Sequence, residues 1–327
     1  MLDGEVVASH SAGVLSFLTR DGRLLDEPLP AGPDAWYDLA SLTKVVSTIT
    51  LLTLAAQGTL DLDAPVAEHL PGFRDGARLR VTLRMLLTHT AGLPPVWLGW
   101  QDQPEANRND LLTALTRTPL QHEPGTTWLY SCVGFNVAMA LAEQATGQPW
   151  QHLVEQLVLE PAGLADAIAF RPAGPVVATE WDATEGRLVQ GIVHDETARA
   201  LGGACANAGL FGTLAGVLQL AELLRTDSLP CPTAPMFQDV LPRLVGRSPS
   251  TPDEPPGRGH SLGLRMGEAW MHSPTAFGHT GFTGTSLLVD RAKGMSVVTL
   301  ANRIHPSRTG GDPHRLRGAI AHIAQGL

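Results

Sequence analysis

From Ser41 onward the apolar positions Leu42, Val45, Val46, Ile49, Leu52 and Ala56 recur mostly at spacings of three and four, and Gly58 stands where a helix would be capped. This predicts a helix that begins at or next to Ser41. The same period predicts helices over 82–89, closed by Gly92 and Pro94-Pro95, and over 110–117, 133–145 and 151–159, with another over 213–225. The ends of the chain read differently. Short, mostly apolar runs at 14–18 and 23–25 flank Asp21-Gly22, a tight-turn dipeptide, and two more at 286–289 and 295–300 are joined across 290–294. An amphipathic stretch over 314–324 closes the chain, and the Pro-rich segment 248–256 suits an exposed loop. Strands at both ends with helices between them predict one α/β domain from 1–40 and 206–327, a mostly helical domain from 41–205 inserted into it, and a cleft between the two. No internal repeat of 20 to 50 residues interrupts this plan.

Composition narrows the function classes. The 327 residues carry 23 Lys+Arg against 32 Asp+Glu, a net charge of −9, which gives no global support to phosphate-backbone binding and argues against a nucleic-acid partner. With 43% hydrophobic and 17% charged residues the chain is of globular type. Cys132, Cys205 and Cys231 are too few and too scattered for a disulfide framework or a zinc site, which fits a reducing compartment. The start, Met1 to Glu5, lacks the pattern of an export leader, and no run approaches the 18 apolar residues of a membrane span. These features predict a cytoplasmic protein with no membrane partner, and nothing in the sequence calls for a metal or an organic cofactor.

Three segments carry candidate chemistry. In Ser41-Leu42-Thr43-Lys44 the i and i+3 side chains share a helix face, so an amine can reach the serine oxygen. The free N–H groups and positive dipole end of the first turn favour negative charge on that oxygen. Desolvation is expected to push Lys44 below its ordinary value and make it a usable base. Alone, a Ser three residues before a Lys is a weak signal. The second segment, Glu123-Pro124-Gly125 through Tyr130-Ser131-Cys132, is a turn leading to a tyrosine just before a helix, which by itself also fits a packed aromatic. The third, Gly278-His279-Thr280-Gly281-Phe282-Thr283-Gly284-Thr285, precedes an apolar run, where small residues either admit a ligand to a strand edge or mark a bulge.

In this order the three segments resemble the signature of the serine β-lactamase and penicillin-binding-protein superfamily: S-x-x-K, a Tyr motif, then a K-T-G-like motif. Asp38-Leu-Ala-Ser-Leu-Thr-Lys44, Leu86-Leu-Thr-His-Thr-Ala-Gly-Leu93, Gly209-Leu-Phe211 and Gly278-His-Thr-Gly281 narrow the likeness to the class C-related esterase and β-lactamase-like group, over roughly residues 35 to 325. The resemblance implies a β-lactamase/transpeptidase-like fold of the α/β class, an antiparallel sheet flanked by helices plus an inserted all-α domain. It implies Ser41 as acylated nucleophile, with Lys44 and Tyr130 sharing protons as a coupled pair. The backbone N–H groups of Ser41 and Phe282 would form the oxyanion hole, and Cys132, His279, Thr280 and Gly281 would face the substrate.

Two positions depart from the family pattern. Cys132 stands where an Asn is common and lacks a strong amide donor. His279 stands where the better-known enzymes have Lys, so the standing cation for a substrate carboxylate is expected to be missing. Both changes favour small esters over β-lactams, making a serine hydrolase of the esterase type the first reading. A D-amino-acid-directed peptidase or β-lactamase is the alternative within enzymes, and a ligand binder without turnover the alternative outside them. His194-Asp195-Glu196 reads as a polar loop near the cleft, because consecutive side chains diverge and the spacing is not that of H-E-x-x-H. His89 reads as a structural hydrogen-bonding residue at a helix end. Trp97, Trp100 and Trp128 fit either an apolar acyl pocket or the core.

Overall fold

The computed structural model describes residues 1–229, 231–241, 259–309 and 311–326; the Pro-rich segment 248–256 lies outside them. The predicted helices form: α1 Thr43–Ala56, α2 Leu83–Leu87, α3 Arg108–Thr116, α4 Cys132–Thr146, α5 Trp150–Val154, α7 Leu214–Arg225 and α8 Pro313–Gln325; a short α6, Glu196–Ala200, stands where the sequence predicts a polar loop. Thr82, Asn107, Ser131, Thr213 and Asp312 cap five of them through side-chain oxygens that accept backbone N–H groups, which satisfies donors a helix start leaves open. Following α5, one π-helical stretch, Glu155–Leu159, completes the predicted 151–159 segment. α1 is buried from Thr43 to Leu54. It tolerates Thr48, Thr50 and Thr53 inside because each hydroxyl donates to the carbonyl four residues back.

The main sheet is antiparallel and comes wholly from the last third of the described chain: β6 Gly259–His260, β7 Arg265–Met266, β8 Phe277–Thr280, β9 Ser286–Asp290 and β10 Met295–Thr299, in the order β10-β9-β8-β7-β6. β9 is buried throughout because both its faces are covered. Leu287 and Val289 join the large core that also holds α1, α4 and α7, while Leu288 joins a smaller cluster with Trp270, Met271 and Ala321 of α8. A small sheet links distant parts of the chain: β1 Tyr37–Asp38, β5 Phe211–Gly212 and β2 Ile168–Ala169, in the order β1-β5-β2, while β3 Trp181–Asp182 pairs with β4 Arg187–Leu188.

The first forty residues are where the pattern misled. The runs 14–18 and 23–25 form no ladder; Leu18 and Leu24 make one isolated bridge across the Asp21-Gly22 turn, and Val14 bridges Pro30. The turn itself forms, with Thr19 N–H donating to the Arg23 carbonyl and Leu25 N–H to the Phe17 carbonyl. Leu15 packs on a small cluster of Ala31, Ala35 and Val177, but Phe17, Leu24 and Leu29 stay exposed, so little apolar burial supports a longer ladder. The chain start does dock on the sheet, where Ser296 N–H donates to the Met1 carbonyl and Leu2 bridges Met295.

Candidate active site

The nucleophile turn is built before α1 begins. Residues 40–42 form a 3₁₀ turn, and Ala40 within it takes φ +47°, a left-handed value that costs a non-glycine residue of order 1–2 kcal/mol. Five hydrogen bonds hold it there. The buried Asp38 carboxylate accepts the Ala40 N–H at 2.8 Å and the His194 N–H at 2.7 Å. Leu39 N–H donates to the Leu210 carbonyl, Thr283 Oγ1 to the Asp38 carbonyl and Thr285 Oγ1 to the Leu39 carbonyl. Burial pushes the Asp38 carboxyl up from its ordinary value, and the two N–H groups pull against that.

Gly281 completes the fit from the other side. A Cβ there would lie 2.1 Å from Thr285 Oγ1 and 2.7 Å from the Leu39 carbonyl oxygen, so only glycine lets the end of β8 close on the nucleophile turn. The small residues of 278–285 thus serve the protein's own backbone, and β8 is an inner strand of the sheet. The same contacts bring the Phe282 segment beside Ser41. Its ring is 47% exposed and lies between His194, stacked at 5.7 Å, and the Arg303 guanidinium at 4.9 Å.

Lys44 is fully buried and its ammonium has three donors. They meet three acceptors: Ser41 Oγ at 2.9 Å, the Asn207 carbonyl at 2.9 Å and Cys132 Sγ at 3.4 Å. Nζ also lies 5.1 Å from the Tyr130 ring centroid. The expectation of a depressed Lys44 is overturned. Burial does push the amine down, but the electrostatic pull of Cys132, Tyr130 and Asp195 outweighs it and holds Lys44 above its ordinary value. Lys44 therefore remains the cation of the site.

Tyr130 arrives from the strand-like segment before α4. Ser131 Oγ caps α4 by accepting the Gly134 N–H and donates to the Pro94 carbonyl, while Cys132 N–H donates to the Pro95 carbonyl. The buried His279, as expected, is no cation: burial, Arg265 and Lys44 hold it well below its ordinary value, and its Nδ1 lies 2.9 Å from the Thr280 carbonyl. A different cation lies nearby. Arg265, paired with Gly278 across β7 and β8, sets its guanidinium 4.9 Å from the Tyr130 ring centroid and ion-pairs with Glu268 at 3.0 Å. Arg317 of α8, also buried, donates to the Gly281 carbonyl; burial, then Arg303 and Arg265, lower it to about 10. Both arginines escaped the sequence reading. Their signals were a lone charge in the apolar run Ser261 to Met266, and a charge in register with Ala321 on the buried stripe of α8.

The other residues singled out in the sequence have these surroundings. His194 is buried against Glu180 at 2.8 Å, Asp195 caps α6, and Glu196 pairs with Arg308. Trp97 and Trp100 pack against the large core, and Trp128 lies against His89 and His260. Among the described residues no group of His, Cys, Asp and Glu is arranged to hold a metal ion, and no helix is long and apolar enough to cross a membrane.

The chain and its fold have relatives. The beta-lactamase family model matches residues 1–321, so the chain belongs to the beta-lactamase family and is a serine hydrolase. It is 30% identical to esterase EstB of Burkholderia gladioli over 94% of this chain and 90% of that one. It is 29% identical to a protein of Escherichia coli K12 described as a D-alanyl-D-alanine carboxypeptidase, over 86% of this chain and 72% of that one. The fold matches EstCE1, a hydrolase with promiscuous acyltransferase activity, with a TM-score of 0.75 and 22% identity over 98% of this chain and 91% of that one.

Proposed function

We propose that this chain is an esterase that turns over small activated esters through an acyl-enzyme on Ser41, with at most slow β-lactam hydrolysis. The observation that carries the reading is the Lys44 ammonium donating to Ser41 Oγ at 2.9 Å from a fully buried position. Ser41 Oγ attacks the ester carbonyl carbon, its proton passes to the Lys44–Tyr130 pair, and the Ser41 and Phe282 N–H groups take the charge developing on the carbonyl oxygen. The carbonyl–oxygen bond to the alcohol breaks and the alcohol leaves with that proton. Water then attacks the acyl carbon, gives its proton to the same pair and releases the carboxylic acid, restoring Ser41. The substrate cleft runs between the helical body, 41–205, and the part formed by 1–40 and 206–327. Cys132, His279, Thr280 and Gly281 border it. The three free thiols fit a reducing, cytoplasmic setting.

Cys132 offers no amide donor to a side-chain amide of a β-lactam, and the likeness to EstB agrees with an ester preference. Turnover of a p-nitrophenyl ester and of a chromogenic cephalosporin, measured side by side, tests this: kcat/KM is expected to be higher on the ester, and a higher value on the lactam overturns it. One observation favours a second reading. The Arg265 guanidinium, 4.9 Å from the Tyr130 ring centroid, suits a substrate with a carboxylate on its leaving group, as a D-amino-acid-directed peptidase requires. Burst kinetics separate either enzyme from a binder that acylates once and stops.

A further inference from the structure

His89 follows α2 at φ +59°, a conformation uncommon outside glycine. Its carbonyl accepts the Leu129 N–H at 2.9 Å and its Nδ1 accepts the Ser131 N–H at 3.0 Å. One residue thus binds the backbone on both sides of Tyr130. The imidazole also packs on the Tyr130 ring, with centroids 4.5 Å apart, and against Phe135 at 5.4 Å, His260 at 5.1 Å and Trp128 at 6.2 Å. It is 2% exposed. Ser131 in turn caps α4, so the grip on Tyr130 is anchored to a 15-residue helix.

We propose that His89 is a positioning residue that sets the Tyr130 phenol against Lys44 and Ser41, by gripping the chain before and after the tyrosine and packing on its ring. The proton arrangement agrees. With Nδ1 accepting from Ser131, the neutral ring carries its proton on Nε2. Burial, then His260 and Lys44, hold His89 well below its ordinary value, so the Nδ1 lone pair is kept at neutral pH. The inference rests on the reading of Tyr130 as a proton carrier. A phenol displaced by about 1 Å would cost on the order of 100-fold in rate, without changing what the cleft offers a bound ester.

The test compares His89→Asn, His89→Leu and Tyr130→Phe in the full chain, using p-nitrophenyl acetate and thermal unfolding. Asn tolerates positive φ and carries an acceptor near the Nδ1 position, whereas Leu has neither property. His89→Leu is expected to lower kcat roughly 30- to 100-fold with KM within about threefold, and to move the acidic limb of the kcat/KM profile. His89→Asn is expected to restore kcat to within about fivefold of the parent. If His89→Leu fails to fold, His89→Gln replaces it, with its acceptor one methylene too far, and kcat is expected to fall below that of the Asn variant. Equal kcat in Asn and Gln overturns the inference. So does a folded Leu variant with parental kcat and pH profile while Tyr130→Phe is inactive. Full activity in Tyr130→Phe instead removes the reading of Tyr130 on which the inference stands.

Discussion

Replacing Asp38 by Asn removes little volume but splits a paired acceptor. The carboxylate takes two backbone N–H groups, from Ala40 at 2.8 Å and His194 at 2.7 Å, inside the core. An amide can accept only one of them and turns its NH₂ towards the other, so one buried donor loses its partner. A hydrogen bond to a charged group nets about 1.5–3 kcal/mol, and an unpaired buried donor costs about 1–3 kcal/mol. Taking these as overlapping gives roughly 2–4 kcal/mol, or roughly a 3–6 °C fall in Tm for a chain of this size. The turn should suffer beyond that. Ala40 is held at φ +47° against a strain of about 1–2 kcal/mol, and when the restraint weakens the turn can relax and carry Ser41 away from Lys44. That predicts a 10- to 100-fold fall in kcat/KM on p-nitrophenyl acetate, about 1.4–2.8 kcal/mol, with a matching fall in the rate of fluorophosphonate labelling. Asp38→Asn with parental Tm and labelling rate would refute the claim that this carboxylate holds the nucleophile turn.

Cys132→Asn adds the missing amide donor, worth about 1.4 kcal/mol, so the ratio of ester to cephalosporin kcat/KM should fall about tenfold; an unchanged ratio argues against a substrate-facing Cys132. Arg265→Leu should lower kcat/KM at least about tenfold on an ester whose leaving group bears a carboxylate, and by less than about threefold on its neutral analogue. Equal losses on both would assign Arg265 to the support of Tyr130 alone. Glu180 gives an acid-stability test. Burial alone would raise its carboxyl, but hydrogen bonds from Arg308 and His194 hold it at about 2, against an ordinary value of 4.5. A depressed carboxyl contributes stability that is complete above the ordinary value and is lost as pH falls through the folded one. Glu180→Gln should therefore melt lower than the parent at pH 7, with the gap closing towards pH 2; a gap that persists or widens on acidification contradicts this.

The nucleophile end of the site was legible because it is local. Ser41 and Lys44 meet through helix spacing alone, and the caps and breakers around α1, α2, α4 and α7 are written in adjacent residues. Tyr130 and the 278–285 segment could be joined to them only through resemblance, since no local rule carries a contact across 86 residues or more. What escaped depends on tertiary surroundings. The charge state of Lys44 is decided by Cys132 and Tyr130 rather than by its own helix. Arg265 and Arg317 look like ordinary surface charges until their neighbours bury them. The apolar runs at 14–18 and 23–25 form their turn, but with Phe17 and Leu24 exposed they find too small a layer to extend into a ladder.

The central claim is tested most directly by brief incubation with a p-nitrophenyl ester, acid quenching and peptide mapping by mass spectrometry. A single acyl group on the peptide bearing Ser41, absent from Ser41→Ala and present in Cys132→Ala, is the predicted result. An acyl group on Cys132, or an adduct that survives in Ser41→Ala, would contradict it.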